Sequence, residues 1–306
     1  MHKLTLLLLV TLALLQLQAQ VPRVAQGSII RLPNFASKHV DPRTIDVWLP
    51  QGYSNRKKYA VLYMQDGNAL YDSSIMWNKQ EWDVDETISK LLNENAIQNV
   101  IVVGIWNNGK QRHAEYFPQK PYESLSNTDK EIVTQQLIDK GRTTGAFNPI
   151  SNRYLQFIVT ELKPYIDSAF ATKKDRANTF IAGSSMGGLI SLYAICEYPN
   201  VFGGAACLST HWPGTFTVAN NPIPAAIIKY MQAHLPSPHK HKLYFDYGDA
   251  TLDAMYPPLQ AKVNEVLVAK GYTTKHWATH YFAGEDHSEK AWAKRLATPL
   301  LFLLKK

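Results

Sequence analysis

Residues 178–188 read Asn-Thr-Phe-Ile-Ala-Gly-Ser-Ser-Met-Gly-Gly, and residues 189–198, Leu-Ile-Ser-Leu-Tyr-Ala-Ile-Cys-Glu-Tyr, follow directly. An apolar β-prone run enters Gly183-Ser184-Ser185-Met186-Gly187, and a run with helical spacing leaves it. This is G-x-S-x-G in the strand–turn–helix setting that a nucleophile elbow requires. The small residues two before and two after the central serine keep the turn clear of its own strand and helix. Ser185 is therefore the candidate nucleophile. The backbone N–H of Met186, at the start of the helix, faces the place where an oxyanion would develop.

Outward from this turn, short β-branched runs alternate with longer helical patterns. Strands are expected at 43–49, 59–64, 99–105, 178–182, 203–208, 242–247 and 275–282. Helices are expected at 81–93, 129–140, 151–170, 186–197, 223–234, 256–270 and 288–304. Such alternation predicts a mostly parallel sheet with helices on both faces and reactive groups at the strand C-terminal ends. Residues 107–128 fit neither period and are expected to be an irregular insertion that shapes a site.

A serine hydroxyl is a poor nucleophile and needs a base oriented by an acid. Behind an elbow these partners follow in the order acid, then histidine. Residues 242–256, KLYFDYGDATLDAMY, end a strand and offer Asp246 within it and Asp249 and Asp253 in the loop beyond. Asp246 is expected to be structural. His287, in HYFAGEDHSEKAW, stands in the loop after the last strand and is the candidate base.

The chain has 306 residues with 32 Lys and Arg against 25 Asp and Glu, a formal charge of +7. No basic run exceeds a pair such as Lys57–Lys58, so the clustered stripe of a nucleic-acid surface is missing. Residues 1–19 carry a basic start, an apolar stretch from Leu4 to Leu15 and a polar end, the pattern of an export signal. Residues 20–306 are then expected to form a single α/β domain, periplasmic or secreted, with no membrane attachment after signal removal. Cys196 and Cys207 are expected as buried thiols. His234, His239 and His241 lack an acid or cysteine at ligand spacing, so no metal is expected. No phosphate loop is present, because GSSMGG lacks the following lysine.

The combination GSSMGG, FDYGDATLD and GEDHSEKAW resembles the putative-esterase family of the α/β-hydrolase superfamily, which includes enterobactin esterases, feruloyl esterases and S-formylglutathione hydrolase. The resemblance runs from about Thr44 to Leu304. It implies an α/β-hydrolase fold, Ser185 as nucleophile, His287 as base and Asp253 as the acid, with Asp249 in reserve. The segment YMQDGNALYD resembles the family's oxyanion turn, which implies that Gly67 lets the backbone approach substrate and that Asn68 supplies the second N–H. Arg112, Glu115 and Tyr116 resemble an R-x-x-E-Y pattern. Arg112 and Tyr116, with His211 and Trp212 after a strand, are expected substrate contacts, and Trp77 and Trp82 flank the same face. The expected activity is cofactor-free ester hydrolysis on a small-molecule or carbohydrate ester. The rival readings are an acyltransferase using the same triad and a non-catalytic carbohydrate-binding protein.

Overall fold

The computed structural model describes residues 21–306. The expected export signal lies outside the described residues. Eight strands form one sheet in the order β1-β2-β4-β3-β5-β6-β7-β8. They are β1 Ser28–Phe35, β2 Arg43–Leu49, β3 Ala60–Met64, β4 Val100–Ile105, β5 Thr179–Ser184, β6 Gly204–Leu208, β7 Lys242–Tyr247 and β8 Trp277–Tyr281. β1, β2 and β4 pair antiparallel, and every other neighbour pair is parallel. The mostly parallel α/β expectation therefore holds.

The physical basis is burial of the sheet on both faces. In β3, Val61 and Tyr63 join one apolar cluster while Ala60, Leu62 and Met64 join another on the opposite side. A strand covered on both faces reads as a continuous apolar run, which is what AVLYM and VIVVGI are. Helix α1 Val84–Asn93 and the C-terminal pair Glu289–Arg295 and Ala297–Leu304 cover the second face.

Two expectations fail. β1 is an additional edge strand whose residues are all partly or fully exposed, so burial leaves no apolar alternation in SIIRLPNF. Pro33 sits between Leu32 and Phe35, where the register shifts, a position an edge tolerates because no ladder bond is lost there. The 107–128 insertion is not irregular: it holds α2 Arg112–Tyr116 and α3 Gln119–Glu123, each a little over one turn. Helices that short do not display a 3.6-residue period. The next helix, α4 Asn127–Ile138, begins at Ser126, whose side chain accepts from the Asp129 N–H.

The helix expected over 151–170 is Ser151–Gln156 and Lys163–Ala169, labelled α5 and α6, with a π-helical stretch between them. α7 Met186–Glu197 follows the elbow and is buried almost throughout. α8 Ile223–His234 and α9 Pro257–Ala269 lie where expected. The helix expected over 288–304 is split at Leu296 into α10 Glu289–Arg295 and α11 Ala297–Leu304. Cys196 and Cys207 are free and buried. His241 turns both ring nitrogens toward backbone carbonyls, of Ser237 at 2.8 Å and Pro199 at 2.7 Å. Among the described residues no helix is long and apolar enough to cross a membrane.

Candidate active site

Six loops leave the C-terminal ends of the parallel strands β3 to β8 on one side of the sheet, and side chains from all six line one cavity. After β5 the chain turns sharply: Ser185 has φ 56° and ψ −125°, and α7 starts at the next residue. This backbone strain is of the kind that persists only where surrounding contacts enforce it. The Ser185 N–H donates to Leu208 O at 2.9 Å, and the His211 N–H donates to Ser185 O at 3.1 Å. The turn is thus tied to the segment after β6. A Cβ on Gly183 would stand 2.7 Å from the backbone of Gly187, so the first elbow position accepts no side chain. As the first helical residue, Met186 has an N–H with no intrahelical acceptor, and it lines the same cavity as Ser185.

Ser185 and His287 line one cavity of about 640 Å³. His287 Nδ1 meets Asp253 Oδ1 at 2.6 Å. The ring is boxed by Trp292 at 5.0 Å and Tyr256 at 5.8 Å between centroids. Asp253 is fully buried and also accepts from Ser209 Oγ and from the Gly248 N–H, each at 2.6 Å. Burial pushes this carboxyl upward. The hydrogen bond and charge of His287, with the Ser209 and Gly248 donors, outweigh burial and hold it below the usual carboxylate value.

Asp249 is placed elsewhere: it is exposed, with Tyr281 and the Gly284 N–H as its partners. Asp246 lies at the end of β7 and pairs with Arg295 at 2.9 Å. Of these three aspartates, Asp253 is the one in contact with His287. No hydrogen bond joins Ser185 to His287 among the described residues, and such bonds commonly tighten only with substrate in place.

The turn after β3 brings Asn68 to the same cavity. A Cβ on Gly67 would stand 2.4 Å from the backbone of Gly104 in β4, so strand packing by itself demands a glycine here. Asp66 adopts the left-handed region at φ 53°. Its carboxylate takes a two-pronged ion pair from Arg112, at 2.6 and 2.7 Å, and a bond from Asn107 at 2.8 Å. Burial works against the Arg112 charge, and Asp66 more than offsets that, raising its pKa.

The four expected substrate contacts are placed differently from one another. Arg112 and His211 line the cavity. Tyr116 is fully buried beneath the Arg112 guanidinium, and its hydroxyl accepts from the Asp66 N–H at 3.3 Å, so it braces the turn and does not reach the cavity. Trp212 is a correction as well. It packs on Phe245, donates to Gln260 at 3.1 Å, and lines a separate cavity between α8 and α9. The chain turns at this point, with the Trp212 N–H on Thr210 O at 2.8 Å and the Gly214 N–H on His211 O at 3.0 Å, and the two side chains leave the turn on different sides. Trp77 stands 90% exposed at the rim, whereas Trp82 is buried against Trp292.

His211 Nδ1 pairs with the Tyr256 hydroxyl at 2.7 Å, and its Nε2 is buried without a partner. Burial, with the charges of His287 and His113, pushes it down to about 3. Burial, with Arg112 and Arg142, does the same to His113, also to about 3. Both rings are neutral at physiological pH. Phe216, with the Arg142 guanidinium 5.0 Å over its ring, completes this wall and carried no signal in the sequence. Ser209, Trp292 and Arg295 behind Asp253 were equally unmarked. Among the described residues no cluster of potential metal ligands occurs.

Comparison with known proteins agrees with the fold. The ferulic acid esterase of the anaerobic fungus Anaeromyces mucronatus superposes with TM-score 0.59 at 18% identity, over 94% of this chain and 92% of that one. The enterobactin esterase of Shigella flexneri superposes with TM-score 0.62 at 15% identity, over 94% of this chain and 63% of that one. In sequence, the uncharacterized protein YbbA of Bacillus subtilis is 25% identical over 172 residues, 56% of this chain and 58% of YbbA. The match thus spans little more than half of that relative's length. The model of the family described as "Putative esterase" matches residues 38–303. That match includes the elbow, the acid and the histidine, and on it the chain belongs to this esterase family.

Proposed function

We propose that the protein is an exported serine carboxylic-ester hydrolase acting through an acyl-enzyme on Ser185. The observation that carries the reading is the 2.6 Å Asp253–His287 contact beside the cavity that Ser185 lines. His287 Nε2 takes the hydroxyl proton as Ser185 Oγ bonds to the acyl carbon. The N–H groups of Met186 and Asn68 donate to the tetrahedral oxyanion. Collapse expels the alcohol, which takes the proton from His287. Water then attacks the acyl-enzyme with His287 again as base, releasing the acid and free Ser185. Asp253 orients the imidazole and stabilises its charged form. No step requires a cofactor or metal.

The cavity wall supports an ester with a flat or sugar ring bearing hydroxyl groups. Phe216 and Trp77 offer ring faces, and Arg112, Arg142 and neutral His211 offer polar contacts. A feruloyl or acetyl sugar ester, or a siderophore lactone, fits this description. Export to the periplasm or medium rests on the pattern of residues 1–19. The test is labelling with a fluorophosphonate and mapping by mass spectrometry, followed by a panel of feruloyl, acetyl and catecholate esters. Adduct on Ser185 with ester turnover is expected. Turnover without any adduct at Ser185 would overturn the reading.

A further inference from the structure

On the side of Asp253 away from His287, a buried polar network leaves one arrangement of protons. Ser209 follows β6 in the left-handed region at φ 40° and is fully buried. Its N–H lies 2.9 Å from Asp246 O and 3.2 Å from the Asp246 carboxylate, which fixes the turn. A serine hydroxyl has one proton and two lone pairs. Trp292 Nε1 lies 3.0 Å from Ser209 Oγ and Arg295 Nη2 lies 2.8 Å from it. An indole N–H and a guanidinium only donate, so together they fill both lone pairs. The hydroxyl proton has one direction left, toward Asp253 Oδ2 at 2.6 Å.

Gly248 N–H donates to the same Oδ2 at 2.6 Å, so Oδ1 remains for His287. Arg295, itself only 4% exposed and anchored on Asp246, stands 4.0 Å from Oδ2. We propose that Ser209 and Arg295 are positioning residues, which lock Asp253 in the rotamer that meets His287 and draw its charge away from the imidazole. The proposal rests on the triad reading above. It predicts that losing either group disturbs the Asp253–His287 contact and with it turnover.

The charged and titratable groups facing this cluster come from four elements. Asp246 and Tyr244 lie on β7, Arg295 on α10, Tyr256 at the start of α9 and His211 after β6; Glu289 on α10 lines the cavity near the base. Burial, with Asp253 close by, keeps Tyr256 protonated, and burial keeps His211 neutral. Asp253, Arg295 and Asp246 therefore set the field at His287 from behind, and Glu289 adds to it from the cavity side.

The experiment measures kcat and KM against pH for folded variants, with circular dichroism as the folding control. Ser209→Ala removes one donor from Oδ2, concentrates charge on Asp253 and so favours the protonated imidazole. Expected are a kcat loss of about tenfold or more, KM within about twofold, and an acid limb of kcat/KM moved up by ~0.5 unit. Arg295→Met should shift the limb in the same direction, and Arg295→Lys should recover most of the loss seen with Met. In an Asp253→Asn background, Ser209→Ala should cost nothing further, because its effect runs through that carboxylate. Equal losses in both backgrounds, or an unmoved acid limb in a folded Ser209→Ala protein, would overturn the proposal. Unimpaired Asp253→Asn activity would overturn the triad reading instead. Ser209→Ala deletes a single atom, so it carries the test even where Arg295→Met fails to fold.

Discussion

At the residue scale, the chemistry depends on which of several similar side chains reaches which partner. Three aspartates lie within the eight residues 246–253 at the end of β7 and beyond it, yet their environments divide them: Asp246 faces Arg295, Asp249 faces Tyr281 and solvent, and Asp253 faces His287. Asp253→Asn should lower kcat by about 10²–10⁴-fold, since the imidazole loses its orienting acceptor and the stabilisation of its charged form. Asp249→Asn should change kcat by no more than about threefold, because this exposed carboxylate meets Tyr281 and the Gly284 N–H and not His287. Reversal of the two effects in steady-state assays transfers the acid role to Asp249. Ser185→Ala should leave only the background from binding and the oxyanion donors, with unfolding unchanged. Hydrolysis of p-nitrophenyl acetate at the wild-type rate by this variant rules out Ser185 as nucleophile.

At the element scale, close packing between strands adds to what the polar groups hold in place. The turn after β3 sits against β4 with no room at Gly67, where a Cβ would meet the Gly104 backbone at 2.4 Å. Backbone cannot rotate aside as a flexible side chain can. Gly67→Ala should therefore cost about 1–3 kcal/mol of stability by overpacking and lower kcat by moving the Asn68 N–H. Urea unfolding and the esterase assay read the two effects separately, and an Ala variant with native stability contradicts the packing argument. The short helices α2 and α3 act at the same scale. They place Arg112 over the Asp66 turn and Tyr116 beneath it, which turns a stretch without visible periodicity into one wall of the cavity.

At the scale of the whole molecule, burial of neutral histidines ties stability to pH. His113 and His211 are held at about 3 in the folded protein. In the unfolded chain an imidazole titrates near ~6.5. Between those values the unfolded state binds more protons, so stability rises with pH across that window. The contribution is complete above ~6.5 and is lost as pH falls toward the folded value. From pH 7 to pH 5 the loss should be about 2 kcal/mol for each histidine. Denaturant unfolding at the two pH values measures it, and His113→Gln should remove about half of the drop. A drop unchanged by that substitution assigns the pH dependence to other groups.

Much of this was legible in the sequence. The elbow, the strand–helix alternation and the order serine, acid, histidine were readable because each depends on local spacing or chain order, and the family resemblance pointed to Asp253 with Asp249 in reserve. Burial on both faces wrote continuous apolar runs into β3, β4 and β5, so the parallel sheet was visible as well. β1 was hidden because an exposed edge needs no apolar pattern, and α2 and α3 because one turn of helix has no period. Tertiary structure alone decided which aspartate met His287, why Gly67 has no side chain, and that Trp212 faces away while its neighbour His211 lines the cavity. It also set the Ser209, Trp292 and Arg295 network behind the acid. These outcomes depend on contacts across 34 to 86 residues of chain. Local sequence specifies which group is available, and only packing specifies where its protons point.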